Sequence, residues 1–186
     1  MVWTARPIAT ARLVLRPFVL TDLEDVVAYQ CRADVTRYLV CGPRCRADAE
    51  RSVRRMTRET ELSRDGDSVD LAVELGGRVI GQVDLVLLSV EHGQGEIGYI
   101  LHPEHHGRGY AAEAAEEMLR VGFEELGLHR IVALCHVDNR ASAAVARRLG
   151  MRREGHFLRC RQVGGVWRDE FLHAVLRDEW LVRSSR

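Results

Sequence analysis

The sequence predicts an α/β protein in which a mixed sheet of about seven strands carries helices on both faces. Three observations point there. Strand-like and helix-like segments follow the order β-α-α-β-β-β-α-β-α-β-β. Glycine pairs, Gly76-Gly77 and Gly164-Gly165, separate strand-like runs as hairpin turns. A strand at Glu96 to Leu101 leads through Gly107 and Gly109 into a long apolar-striped helix.

Taken in order, Thr10 to Phe18 sets Leu13 and Leu15 against Val14 and Arg16 and reads as the first strand. Thr21 is the expected N-cap of the next helix, with Glu24 at the capping-box position. That helix runs to about Arg32 and buries Leu23, Val26, Val27 and Tyr29. Asp34 to Leu39 adds a short helical turn, and Cys41-Gly42-Pro43 breaks the chain. A charged helix is expected from Ala47 to Ser63, with Val53, Met56 and Leu62 as its apolar residues. It is either a solvated surface helix or a wall of a substrate pocket.

Ser68 to Leu75 and Arg78 to Leu88 form a hairpin, with Gly81 marking a bulge. Ser89 to Gly95 is a loop. The helix from Gly109 to Leu126 repeats Ala111, Ala115, Met118, Leu119, Gly122, Phe123 and Leu126 on one stripe, and Gly127 suits its C′ position. Ile131 to Cys135 is apolar on both faces and therefore central. Asp138-Asn139-Arg140-Ala141-Ser142 opens a helix that Gly150 ends. Met151 to Cys160 and Val166 to Leu176 are the last strands. No repeat, low-complexity tract or linker interrupts 1–186, which reads as one domain.

Composition narrows the function. Hydrophobic residues make up 46% of 186, which supports a folded core. The 27 basic and 27 acidic side chains balance, so no nucleic-acid partner is expected, and the arginines between 44 and 58 read as surface charge. No run approaches about 18 apolar residues and no secretory leader is visible, so neither a membrane partner nor a location other than the cytoplasm is expected. The cysteines at 31, 41, 45, 135 and 160 are odd in number and scattered. They read as reduced thiols rather than a disulfide frame. Cys41-x-x-x-Cys45 has no second pair at zinc spacing, so no metal is expected.

The junction at Glu96 to Ala111 reads either as an anion cradle or as a helix start with two incidental glycines. Glycines admit close backbone approach, unpaired N–H groups point outward at the helix start, and Arg108 adds a fixed cation. By spacing alone this is neither a dinucleotide fingerprint in a first βα unit nor a nucleoside-triphosphate loop with Gly-Lys-Ser/Thr.

The string Glu96-Ile-Gly-Tyr-Ile-Leu-His-Pro-Glu-His-His106-Gly-Arg-Gly-Tyr-Ala111 resembles the acetyl-CoA-binding motif of the Gcn5-related N-acetyltransferases, with His106 where Gln or Arg is usual. Asp138-Asn139-Arg140-Ala141-Ser142 through Gly150 and Glu154-Gly155, Trp167-Arg168-Asp169 with Glu179-Trp180, and Thr10-x-Arg12-Leu13 are similar to its ribosomal-protein (Rim-type) branch. The resemblance covers nearly the whole chain. It implies a mostly antiparallel sheet and acetyl-CoA as cosubstrate. It also implies that the strand before the cradle splays from its neighbour, so that Tyr99, Ile100 and Leu101 can meet the pantetheine arm. His106, Gly107, Arg108, Gly109, Tyr110 and Ala111 would hold the pyrophosphate, and Asn139 would bond the pantetheine, cap the following helix, or both. The acceptor would be a primary amine, on a protein N-terminus or a small molecule. A homodimer stays open.

An amine must lose a proton before it attacks. At pH 7 this costs about 4.6 kcal/mol for a lysine side chain and about 1 kcal/mol for an α-amine. Glu96 resembles the family's strand base; the alternative is a sheet-edge or loop-anchoring carboxylate. His136, ending the central strand, is a second candidate base, or an ordinary partly buried histidine. Ser142 matches a family serine that protonates the leaving thiolate, or is a first-turn helix serine that contacts the cofactor. Asp169 either orients the incoming ammonium or makes a hairpin salt bridge. Where some Rim-type enzymes carry a glutamate after the Glu-Gly pair, this chain has Arg161. A non-catalytic acyl-CoA sensor is the alternative to an enzyme.

Overall fold

A computed structural model of the chain describes residues 2–39 and 44–184. Cys41 and the break at Gly42-Pro43 lie outside the described residues. The strands are β1 (Trp3–Thr4), β2 (Ile8–Ala9), β3 (Val14–Pro17), β4 (Glu61–Leu62), β5 (Ser68–Leu75), β6 (Arg78–Ser89), β7 (Gln94–Leu101), β8 (Arg130–His136), β9 (Arg152–Val163) and β10 (Val166–Leu176). The helices are α1 (Leu23–Gln30), α2 (Ala33–Thr36), α3 (Arg46–Met56), α4 (Tyr110–Arg120), α5 (Arg140–Arg148) and α6 (Arg177–Ser184).

Eight strands form the main sheet in the order β2-β3-β5-β6-β7-β8-β10-β9. All neighbours are antiparallel except β7 and β8. The mostly antiparallel sheet with helices on both faces is thus present, with one strand more than expected. That strand, β2, is two residues long, too short for alternation to reveal. β1 and β4 pair separately, Trp3 opposite Leu62.

Two apolar layers sandwich the sheet. On one face α4 and α6 cover Leu15, Leu71, Leu85 and Ile97 with Met118, Leu119, Phe123 and Trp180. On the other, α1 and α3 bring Val26, Tyr29, Val53 and Met56 against Phe18 and Ala72. Val53 and Met56 are buried, so α3 is anchored on that side and its arginine face is solvated.

Three local expectations change. Thr21 does not cap α1, because the chain enters through a 3₁₀ turn (Leu20–Asp22) that contains it. Asp22 does the anchoring instead: its carboxylate accepts the Val19 N–H at 2.9 Å and pairs with Arg16. The charged helix stops at Met56 rather than Ser63, since Leu62 is needed beside Trp3 and the Thr60 carbonyl accepts the Ala5 N–H. The helix after the cradle ends in a π turn, Val121–Glu125, before Gly127 reverses the chain at φ 67°.

Gly81 keeps its expected bulge. Val73 faces Gly81 but Glu74 faces Val79, so one residue of β6 is extra. Among the described residues no helix is long and apolar enough to cross a membrane.

Candidate active site

The parallel strands β7 and β8 pair only from Gln94–Arg130 to Glu96–Val132. β7 continues to Leu101 and β8 to His136, so the two part and leave a slot in mid-sheet. Along that stretch β7 stays paired with β6, and its backbone groups on the β8 side have no strand to bond. An unpaired strand edge is a template for an extended ligand. Tyr99, Ile100 and Leu101 lie along it, as the resemblance implied.

The slot leads to the cradle. His102 accepts the Glu104 N–H, and a 3₁₀ turn (Pro103–His105) turns the chain toward α4. Gly107 and Gly109 take φ of 75° and 84°, a region that side chains disfavour. Gly109 is the N-cap of α4, so the first amides of the helix, from Tyr110 and Ala111, face outward. Arg12 Nη2 and Arg148 Nη1 stand 3.4 and 3.6 Å from where a Cβ on Gly109 would lie. Two guanidiniums that the glycine motif alone does not announce therefore flank the cradle beside the exposed Arg108. The His106 ring folds back: its Nε2–H donates to the Leu101 carbonyl at 3.0 Å. Its backbone N–H is bonded to the Pro103 carbonyl at 3.0 Å, so ring and amide of His106 both brace the loop, and the amides that face outward begin after it.

Strand alternation divides the remaining candidates between the two faces of the slot. On the α4–α5 face, Tyr99 O–H donates to the Ser142 carbonyl at 3.0 Å and Ser142 Oγ–H donates to the Tyr99 oxygen at 3.2 Å. Asn139 caps α5 by accepting the Ser142 N–H at 3.1 Å. Burial pushes the Tyr99 phenol up to about 12, so it stays a proton donor at neutral pH. Cys135 shares this side, where burial pushes its thiol up.

The opposite face holds Glu96 and His136. Burial raises the Glu96 carboxyl; Arg161 opposes that shift and Glu170 adds to it. Arg161 is bonded to Glu170 at 3.0 Å, so the arginine that replaces the expected glutamate sits beside a carboxylate supplied by β10. His136 Nδ1 accepts the Asp138 N–H at 3.1 Å, and its ring stacks on Tyr38 with centroids 5.2 Å apart. Asp169 is engaged in the β9–β10 hairpin: it accepts the Arg159 N–H at 2.8 Å and lies 3.4 Å from His156. Those contacts match the hairpin alternative, and Glu170 is the carboxylate next to it that reaches the slot side.

A buried polar row, not anticipated from the sequence, extends this face. Asp70, Asp84 and Gly98 are laterally paired across β5, β6 and β7. Asp70 accepts from Arg55 and from Gln82, each at 2.8 Å. Tyr29 and Gln30 of α1 both donate to Gln82, at 3.1 and 2.7 Å. The available signal is a single acid inside each apolar run, Val69-Asp70-Leu71 and Val83-Asp84-Leu85. Burial, then Asp70 and Glu96, push the Asp84 carboxyl up to about 8, against Arg55.

A family model described as an acetyltransferase (GNAT) domain matches residues 12–152. The chain belongs to the GNAT acetyltransferase family. An uncharacterized N-acetyltransferase of Bacillus subtilis, YnaD, is 34% identical over 178 residues, 93% of this chain and 98% of its own length. The structure of a GNAT-family acetyltransferase from Bacillus anthracis superposes with a TM-score of 0.83 at 32% identity, covering 92% of this chain and 99% of that one. The spermidine N(1)-acetyltransferase of Escherichia coli is 26% identical over 167 residues, 90% of this chain and 87% of that protein. In this GNAT domain the slot and cradle occupy the mid-sheet position described above, and the acidic face lies across the slot from Ser142.

Proposed function

We propose that this GNAT protein moves an acetyl group from acetyl-CoA to a primary amine, by direct transfer while both are bound, and that it is of the Rim-like type. The single observation that carries the reading is the parting of β7 and β8 beyond Glu96, in line with the glycines at the start of α4. The chemistry of the donors fits the group. A run of amides with helix polarity and nearby guanidiniums suits a diphosphate, and an open strand edge suits a pantetheine chain.

Acetyl-CoA supplies the activated acetyl carbonyl. Gly107 to Ala111 bind its diphosphate and β7 aligns its arm. Glu96 takes the ammonium proton, directly or through one water, and its raised pKa brings it nearer the working pH. The neutral nitrogen then attacks the carbonyl carbon, the C–S bond breaks, and the sulfur leaves as a thiolate. Thiols titrate near 8.5, so returning a proton to sulfur is a small demand. Ser142, with Tyr99 behind it, is placed to meet it. His136, beside the Tyr38 ring, serves as the second candidate base. Cys135 does not carry the acetyl group: a thiol held in its neutral form by burial is a poor nucleophile.

The test is thiol release from acetyl-CoA with a panel of amines and N-terminal peptides. Turnover with an amine and none without one is expected. Binding of CoA with no turnover on any amine supports a sensor instead.

A further inference from the structure

Asp84 is the carboxyl on this face that lacks a side-chain partner. Asp70 has Arg55 and Gln82, Glu96 lies near Arg161, and Glu170 is bonded to Arg161. The Asp84 carboxyl makes no hydrogen bond to any described residue, although three carboxyls lie on its face of the sheet. It reaches the slot because its partner on β7 is glycine: a Cβ on Gly98 would sit 2.5 Å from Asp84 Oδ1. Gly98 is also within the part of β7 that has left β8. Asp84 and Glu96 are diagonal neighbours on adjacent strands, with Cβ atoms about 7–8 Å apart.

Four carboxyls, at 70, 84, 96 and 170, thus share this face with the guanidiniums of Arg55 and Arg161. A single ammonium at Glu96 leaves the Asp84 carboxyl without a partner and holding its proton. A second ammonium a few bonds away completes both pairs. Burying a carboxylate is favourable only when it is paired, so the face discriminates by charge number.

We propose that Asp84 is a specificity-determining residue that binds a second ammonium of the acceptor, and that the acceptor is a short di- or polyamine acetylated at the nitrogen beside Glu96. This rests on the acetyltransferase reading and narrows its substrate class.

The experiment compares kcat/KM of the full chain for n-butylamine, 1,4-diaminobutane and spermidine, using acetyl-CoA and thiol release. The wild-type protein is expected to favour the diamine and spermidine over butylamine at least ten-fold. In Asp84→Asn that ratio falls close to one through KM for the amine, while KM for acetyl-CoA stays within about two-fold. Asp84→Glu keeps part of the preference. Gly98→Ala leaves Asp84 in place but displaces its carboxyl and lowers the ratio in the same direction, so the test stays decisive should Asp84→Asn not fold. An active wild-type enzyme with no preference for the diamine, or a preference unmoved in Asp84→Asn and Gly98→Ala, overturns the inference alone. Absence of thiol release with every amine overturns the acetyltransferase reading and the inference with it.

Discussion

Arg12 and Glu113 join the segment before the first long strand to the first turn of α4, with Arg12 Nε donating to Glu113 at 2.7 Å. Glu113 also accepts from Thr10 Oγ at 2.6 Å and from the Arg12 N–H at 2.8 Å. The same guanidinium lies over the Tyr110 ring and donates to the Arg108 carbonyl at 2.9 Å. The cradle is therefore held from outside its own βα unit. Arg12→Ala is expected to raise KM for acetyl-CoA roughly five-fold, as an exposed pair worth about 1 kcal/mol would, with kcat little changed. Steady-state kinetics at saturating amine check this.

Gly109 combines a φ of 84° with two guanidiniums close to where a Cβ would lie. Gly109→Ala brings a strain of about 1–2 kcal/mol into the loop that binds the diphosphate. CoA affinity is expected to fall at least ten-fold by calorimetry. Gly76→Ala, at φ 59° in the β5–β6 turn, has comparable strain and should leave CoA affinity unchanged.

Much of this was legible from residues alone. Long strands with glycine-pair turns, the stripe of α4 and the Gly107–Gly109 cradle are local patterns, and each is where the sequence placed it. The short strands β1, β2 and β4 carry too few residues for a period, and α6 was read only as the end of the last hairpin. The geometry of the candidate site was legible where it is built from backbone, as at Gly107, or from alternation, as at Glu96. It was not legible where tertiary contact creates the role. Arg12 meets Glu113 from 101 residues away, and Asp84 matters only because β6 lies beside Gly98.

Glu96→Gln removes the proposed base without changing the size of the side chain. kcat is expected to drop about 10²-fold or more, within the usual range for general bases, with CoA binding unchanged. In the wild-type protein kcat/KM falls as pH drops below the raised Glu96 pKa, because the carboxylate is then protonated. That limb should vanish in the variant. A pH–rate profile from 5 to 9 in both proteins decides it.

Asp84 titrates near 8 in the folded protein, against about 3.9 in an unfolded chain. Between those values the native state binds more protons than the unfolded state, so stability falls as pH rises through the window. Asp84→Asn abolishes that loss. Its Tm is expected to lie closest to the wild type at the acid end of the window and to exceed it by several degrees at the alkaline end, where about 1 kcal/mol corresponds to roughly 2–4 °C for a chain of this size. Thermal melts across the range measure the difference.

Tyr99→Phe leaves the ring in place and deletes the hydroxyl that bridges β7 to Ser142 on α5. A loss of about 1 kcal/mol is expected by urea denaturation, together with slower turnover if Ser142 needs that partner.

The most direct measurement is a crystal structure of the protein grown with CoA. The diphosphate should lie within hydrogen-bonding distance of amides between His106 and Ala111, and the pantetheine arm should run along β7 from Ile97 to Leu101. CoA bound elsewhere, with the slot between β7 and β8 empty, would contradict the account.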